Sequence, residues 1–146
     1  MKIIQLTDER FDEFFELVKK MVAEAQFHEA EPDKEEIEDM CKTANGIVFL
    51  AEKDGKLIGF FAGMIQRYFF SNRERATDMG FYVVPEHRGS AAAIRLIRTF
   101  EYWAKEMGVK EIALGQTTAV DIEKTLKFYA HLGYRVVGFN TVKHLS

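Results

Sequence analysis

The feature that most constrains the fold is an abrupt change of residue type between Met79 and Ala93. A β-rich run up to Val84 ends at a proline, and a short polar turn with a glycine follows. Small residues then lead into an amphipathic helix that begins near Ala92. The first N–H groups of a helix lack partners and carry partial positive charge, and small side chains leave them accessible. A strand that feeds such a loop at a helix N-terminus therefore predicts an anion site.

Length and composition narrow the class of protein. The 146 residues suit one hydrophobic core, and we expect a single domain over residues 1–146. The hydrophobic fraction of 47% and the charged fraction of 29% are those of a globular protein. No apolar run reaches the length of a membrane span, and residues 1–5 are typical of a strand rather than a signal peptide. The formal net charge of −3 argues against a nucleic-acid binder.

Cys41 is the only cysteine in the sequence. It allows neither an intrachain disulfide nor a cysteine-based metal site, and this usage predicts a reducing, cytoplasmic compartment. A lone cysteine on an apolar helical face is usually a core residue. No spacing of histidines and carboxylates indicates a metal site either, so we expect no metal.

Hydrophobic periodicity predicts the element order β-α-α-β-β-β-α-β-α-β, an α/β (α+β) fold with a mixed sheet of about six strands. The predicted strands cover Ile3–Leu6, Ile47–Lys53, Lys56–Tyr68, Arg75–Val84, Lys110–Leu114 and Tyr134–Val142. The predicted helices begin at Thr7 or Asp8, near Pro32, at about Ala92 and at Ile122. The second of these helices is expected to bury Ile37, Met40 and Cys41. Asp54-Gly55 predicts a type I′ hairpin, and Gly108 and Gly133 are expected to end helices.

The junction after the Met79–Val84 run resembles the acyl-CoA signature of the GNAT N-acetyltransferases. That signature is Val-x-Pro, then Arg or Gln, two residues, Gly, one residue, and Gly or Ala. Arg88 is the arginine of this pattern, and its two small positions fall on Ala91 and Ala93. Ala91 stands where glycine is usual, and alanine keeps the amide accessible provided that φ there is negative. The predicted element order is also that of the family, over nearly the whole chain.

The resemblance implies where an acyl-CoA would bind. In this family the strands matching Met79–Val84 and Lys110–Leu114 splay apart at their C-terminal ends, and the cofactor enters between them. Arg88 is then expected to help hold the pyrophosphate. The backbone of the preceding strand would pair with pantetheine amides and donate an N–H to the thioester carbonyl. The implied cofactor-binding residues are Tyr82, Val83, Val84, Arg88, Gly89, Ser90, Ala91, Ala92 and Ala93.

A second motif runs from Phe128-Tyr129 to Gly133-Tyr134 and resembles the family's second signature, Phe-Tyr, three residues, Gly, aromatic. The resemblance implies that Tyr129 donates a proton to the departing CoA thiolate, a role suited to a phenol of pKa near 10. The alternative is a tyrosine that only packs a helix end. Ile122 stands where many members have an asparagine, and three residues could replace its contacts: Thr118, Asp121 and Lys124.

The general base has two candidates. Asp78 lies on the strand before the loop, where family bases are often found, and a bulge would change the side that it faces. The alternative for Asp78 is an exposed acid paired with Arg75 or Arg73. A second group, which includes an imidazole able to titrate near neutrality, lies near the end of the first helix and comprises Glu24, His28 and Glu29.

The resemblance implies an acetyl-CoA-dependent N-acetyltransferase that acts on a primary amine by direct attack in a ternary complex. The acidic segment Glu29–Asp39 suits a cationic acceptor such as a polyamine, an aminoglycoside or a lysine-bearing peptide, or is a solvated helix face. We expect no nucleic-acid or membrane partner, and homodimerisation is a further expectation. The alternative is a non-catalytic acyl-CoA-binding or protein-interaction module with the GNAT fold.

Overall fold

A five-stranded sheet organises the chain, which a computed structural model describes at residues 1–25, 30–115 and 121–145. The strands are β1 (Lys2–Gln5), β2 (Gly46–Lys53), β3 (Lys56–Arg67), β4 (Glu74–Val83) and β5 (Ile112–Ala113). The α-helices are α1 (Phe11–Glu24), α2 (Lys34–Cys41), α3 (Ala92–Glu106) and α4 (Ile122–His131). Short 3-10 turns at Asp8–Arg10 and Pro85–His87 precede α1 and α3.

The sheet has the order β1-β2-β3-β4-β5. Its first four strands form an antiparallel meander, and β5 joins β4 in parallel after the α3 crossover. Asp54 and Gly55 both have positive φ, at 53° and 79°, as the predicted type I′ turn requires. The mixed α/β fold is therefore confirmed, with five strands in place of about six.

Helices cover both faces of the sheet, which explains why β3 is apolar along most of its length. Phe60 points to one face and meets Phe14 of α1 at 5.1 Å between ring centroids. Phe61, the next residue, points to the other face and meets Phe100 of α3 at 4.4 Å. A Cβ at Gly63 would lie 2.4 Å from the Phe100 ring, so only glycine lets α3 approach this closely. The core thus fixes α3, and with it the loop that precedes α3, against β3 and β4.

Two expectations about these elements were wrong. The predicted strand Tyr134–Val142 is absent: residues 134–145 contain no strand, and Val137 and Phe139 are 80% and 90% exposed. Its β-branched and aromatic residues show strand propensity, but β5 is only two residues long and offers little backbone to pair with. Met40 is exposed rather than buried, whereas Ile37 and Cys41 do pack against the core.

Within the described ranges, no helix combines the length and apolar composition needed to cross a bilayer.

Candidate active site

The strands β4 and β5 pair over two residues and then part. The backbone register joins Ala76 to Ile112 and Thr77 to Ala113. At the next position a side chain replaces the backbone as the hydrogen-bond acceptor: Asp78 Oδ1 accepts a hydrogen bond of 3.2 Å from the Gly115 N–H. Beyond Asp78, β4 continues to Val83 with no strand on this side in the described part of the chain. We call this opening the β4–β5 gap.

A β-bulge in β4 sets the direction of Asp78. Ala62 pairs with Gly80 and Gly63 pairs with Asp78, so Met79 is an extra residue in β4. The bulge reverses the alternation of side chains beyond it. Among the described residues Asp78 forms no ion pair, and its carboxylate is turned to the Gly115 amide at the gap.

Burial of Asp78 changes its acidity. Removal from solvent raises the pKa of this carboxyl from 3.8 to about 6, and the Gly115 N–H opposes part of that rise by stabilising the anion. The carboxylate is therefore ionised in most molecules at pH 7 while being a much better proton acceptor than an exposed aspartate. This is the acidity required of a general base near neutral pH.

The end of α4 presents Tyr129 to the same region. Gly133, with φ of 96°, turns the chain so that the Tyr134 ring lies 5.9 Å from that of Tyr129. The Tyr134 hydroxyl donates to Glu101 Oε2 of α3 at 2.8 Å, which ties the end of α4 to α3. Burial, and then the nearby Asp78 charge, raise the pKa of Tyr129 well above its usual value. Tyr129 is thus a phenol held protonated close to a carboxylate.

The loop before α3 exposes backbone amides. Gly89 has φ of 85°, a conformation that favours glycine, and Ala91 has φ of −73°, which meets the condition for alanine at this position. The Ser90 hydroxyl donates to the His87 carbonyl at 2.6 Å and fixes the turn. From Gly89 to Ala93, three N–H groups have no acceptor among the described residues: Gly89, Ala91 and Ala93. We call these the loop amides, and their arrangement fits a phosphate group.

The last residues of β4 also present a backbone donor that has no acceptor in the described part of the chain. Because the Val84 N–H donates to the Ile58 carbonyl at 2.9 Å, the antiparallel alternation directs the backbone N–H and C=O of Val83 away from β3. They point into the gap, whereas the Tyr82 and Val84 amides serve the β3 side. The loop amides and the Val83 N–H together form a path of donors along the gap, which fits an acyl-CoA with its phosphates at the loop.

The Arg88 side chain is engaged by the protein itself. Its Nε donates to the Val83 carbonyl at 2.9 Å, and its Nη1 and Nη2 donate to the two Glu24 oxygens at 3.1 and 2.6 Å. Its guanidinium also lies 5.4 Å from the centre of the Tyr82 ring. The structure therefore places Arg88 on protein partners, which sequence reasoning did not foresee because Glu24 is 64 residues away.

The alternative base group is only partly described. Glu24 is held by Arg88, which lowers the pKa of its carboxyl and makes it a poor base. His28, Glu29 and Thr118 lie outside the described residues. Asp121 accepts a hydrogen bond from the Lys124 N–H at 3.4 Å and so caps α4. In residues 1–25, 30–115 and 121–145 no cluster of three or more histidine, cysteine or carboxylate groups is arranged to hold a metal ion.

A mixed sheet whose parallel neighbours part, with a helix starting at the gap, defines an acetyltransferase fold. The Acetyltransferase (GNAT) family profile matches residues 5–134. The chain belongs to this family of N-acetyltransferases and is an enzyme of that class.

Three relatives illustrate the similarity. An aminoglycoside N(6')-acetyltransferase type 1 of Acinetobacter haemolyticus is 29% identical over 109 residues, 72% of this chain and 70% of the relative. A solved aminoglycoside antibiotic 6'-N-acetyltransferase from Acinetobacter haemolyticus matches with a TM-score of 0.75 and 23% identity, covering 100% of this chain and 97% of the other. A ribosomal-protein-alanine N-acetyltransferase from Brucella melitensis has a TM-score of 0.75 and 20% identity, covering 99% and 100%. At these identities the solved structures show the shared fold.

Proposed function

We propose that this acetyltransferase transfers the acetyl group of acetyl-CoA to a primary amine in the β4–β5 gap. The observation that carries the proposal is the parting of β4 and β5 at Asp78. This parting leaves one strand edge open between a row of backbone donors and the half-buried side chains of Asp78 and Tyr129. Family membership supports acetyl transfer, and the geometry supports this location for it.

The donors would hold the two ends of the cofactor. Acetyl-CoA would supply the acetyl thioester and the phosphates. The loop amides would receive the pyrophosphate, since they are unpaired and lie at the N-terminus of a 15-residue helix. The Val83 N–H, which points into the gap, would donate to a pantetheine or thioester carbonyl and stabilise negative charge on its oxygen.

The two side chains in the gap have complementary protonation states. Asp78 is mostly ionised at neutral pH and would take a proton from the incoming ammonium or amine, directly or through water. Tyr129 is protonated and would donate its hydroxyl proton to the departing thiolate sulfur. The raised pKa keeps the phenol protonated at neutral pH, and it also makes Tyr129 a weaker acid than a phenol of the usual pKa.

For the acceptor we propose a polycationic small amine of the aminoglycoside type. Support comes from the 29% identical aminoglycoside acetyltransferase and from the net charge of −3. The acidic residues of α2 would attract such a cation through their field. These acidic residues lie away from the loop before α3. The start of α2 is held near the start of α1, because Lys34 pairs with Asp12 at 2.6 Å. Asp12 lies roughly 18 Å along α1 from Glu24, which contacts the loop.

The test is thiol release from acetyl-CoA in the presence of an aminoglycoside, a polyamine or a lysine-bearing peptide. We expect release with the aminoglycoside and one added acetyl group per product in the mass spectrum. Saturating acetyl-CoA alone should raise the melting temperature by roughly 5–10 °C. A thermal shift without release from any amine would instead favour an acyl-CoA-binding module. The absence of both a thermal shift and thiol release would contradict the proposal.

A further inference from the structure

We propose that Glu24 and Arg88 form a clamp that positions the cofactor loop, and that Arg88 acts through Val83 rather than by binding phosphate. The inference rests on the proposed function, since the loop in question is the one that would hold acetyl-CoA. The observation behind it is that the Arg88 side chain, which comes from this loop, binds the end of α1 and the end of β4 at the same time.

All three guanidinium nitrogens of Arg88 are in use. Nη1 and Nη2 meet the two carboxylate oxygens of Glu24 in the bidentate arrangement that gives arginine–carboxylate pairs their directional strength. Nε, on the other edge of the group, reaches the Val83 carbonyl. A guanidinium turned in this way has its hydrogen-bonding edges committed to the protein, not to a phosphate in front of the loop amides.

Glu24 is an unfavourable residue for its place in the helix. It is the last residue of α1, where the partial negative charge of the helix end disfavours a carboxylate. The Arg88 charge offsets this cost and lowers the pKa of the Glu24 carboxyl. The side chain of Arg88 is 38% exposed and that of Glu24 is 33% exposed. Solvent therefore screens this ion pair, and its contribution to the free energy of unfolding is small. Its main effect is therefore on local geometry.

The clamp also determines which backbone hydrogen-bonding groups of β4 remain available to a ligand at its open edge. The backbone C=O and N–H of Val83 both point into the gap, and Arg88 Nε occupies the C=O. Among the described residues the Val83 N–H has no protein acceptor, so this position presents a donor alone. Such an edge suits the carbonyl oxygens of a pantetheine or thioester. The guanidinium is further fixed over the ring of Tyr82, which is itself buried.

The experiment compares Glu24→Gln, Arg88→Gln and the exchange Glu24→Arg/Arg88→Glu, using acetyl-CoA and the amine acceptor. We expect each single variant to raise KM for acetyl-CoA by about tenfold with kcat changed less than about twofold, and the exchange to regain part of the loss. Glu16→Gln is the matched control, because it breaks an exposed Lys19–Glu16 pair of 2.8 Å on the same helix. That variant should behave as wild type.

A second donor separates positioning from phosphate binding. S-acetyl-pantetheine carries the thioester and amides but no phosphates, so a positioning defect should appear with it too. If Arg88→Gln weakens only acetyl-CoA, Glu24→Gln has no effect and the exchange regains nothing, Arg88 is a phosphate ligand and the inference is overturned. An inactive wild-type enzyme would instead refute the proposed function. Melting curves and the Arg88→Lys variant identify any variant that loses activity by unfolding.

Discussion

Replacing Asp78 by asparagine is expected to lower kcat by about 10²- to 10⁴-fold while leaving acetyl-CoA binding unchanged. The variant removes the only proton acceptor proposed in the gap but keeps its shape, since asparagine Oδ1 can still accept from the Gly115 N–H. The wild-type rate should rise with pH through about 6 as the carboxylate forms, and the variant should lack that step. Steady-state kinetics from pH 5 to 8 measure both effects.

The same substitution is expected to stabilise the fold at neutral pH. The folded-state pKa of Asp78, about 6, lies above the usual 3.8, so the native state binds this proton more tightly than the unfolded state does. Stability from this group is present below pH 4 and is lost as pH rises to 6, by at most about 3 kcal/mol. Asparagine does not titrate. The gain in the free energy of unfolding of Asp78→Asn over wild type should therefore be absent at pH 4 and complete above pH 6.

Urea unfolding at pH 4 and pH 7.5 tests this sign. Asp39→Asn is the control, since Asp39 is exposed on α2 and its replacement removes no buried carboxylate. An Asp78→Asn variant that retains full activity would exclude Asp78 as the base. A variant equally destabilised at both pH values would show that the carboxylate is needed for the fold instead.

Replacing Tyr129 by phenylalanine is expected to lower kcat by about 10²- to 10⁴-fold, because the proposed proton donor to the thiolate is lost. The aromatic ring and its contact with Tyr134 are kept, so folding and acetyl-CoA affinity should be unchanged. Tyr102→Phe is the control, since that hydroxyl belongs to an exposed residue of α3.

The leaving group provides a sharper test of Tyr129. An acetyl thioester of a more acidic thiol needs less protonation on departure, so the rate difference between wild type and Tyr129→Phe should shrink with such a donor. An equal loss with both donors would indicate that Tyr129 has another role. No loss with either donor would mean that it only packs the end of α4.

Short-range signals in the sequence predicted a large part of this fold. Asp54-Gly55 specified its hairpin, α4 begins at the predicted Ile122, and Gly133 ends that helix in the left-handed conformation. These features depend on a few neighbouring residues, whose backbone preferences are local. The GNAT motifs likewise placed the loop before α3 because the loop is continuous in sequence.

Features that depend on distant residues were not predictable in the same way. The direction of Asp78 follows from a bulge opposite Ala62 and Gly63, which no local pattern in β4 reveals. The Arg88 partner is on α1, 64 residues earlier. The strand predicted at Tyr134–Val142 had suitable residues, but a strand also needs a neighbouring strand to pair with. The roles of the predicted cofactor-binding residues remain predictions.

The most direct test of the account is to follow the backbone amide signals of the ¹⁵N-labelled protein by NMR during titration with acetyl-CoA. The account predicts the largest shifts at the Val83 N–H and the three loop amides, with little change along β1 at the far edge of the sheet. Such a pattern would place the cofactor in the β4–β5 gap. Saturable binding whose shifts leave the loop amides and Val83 unmoved would contradict it.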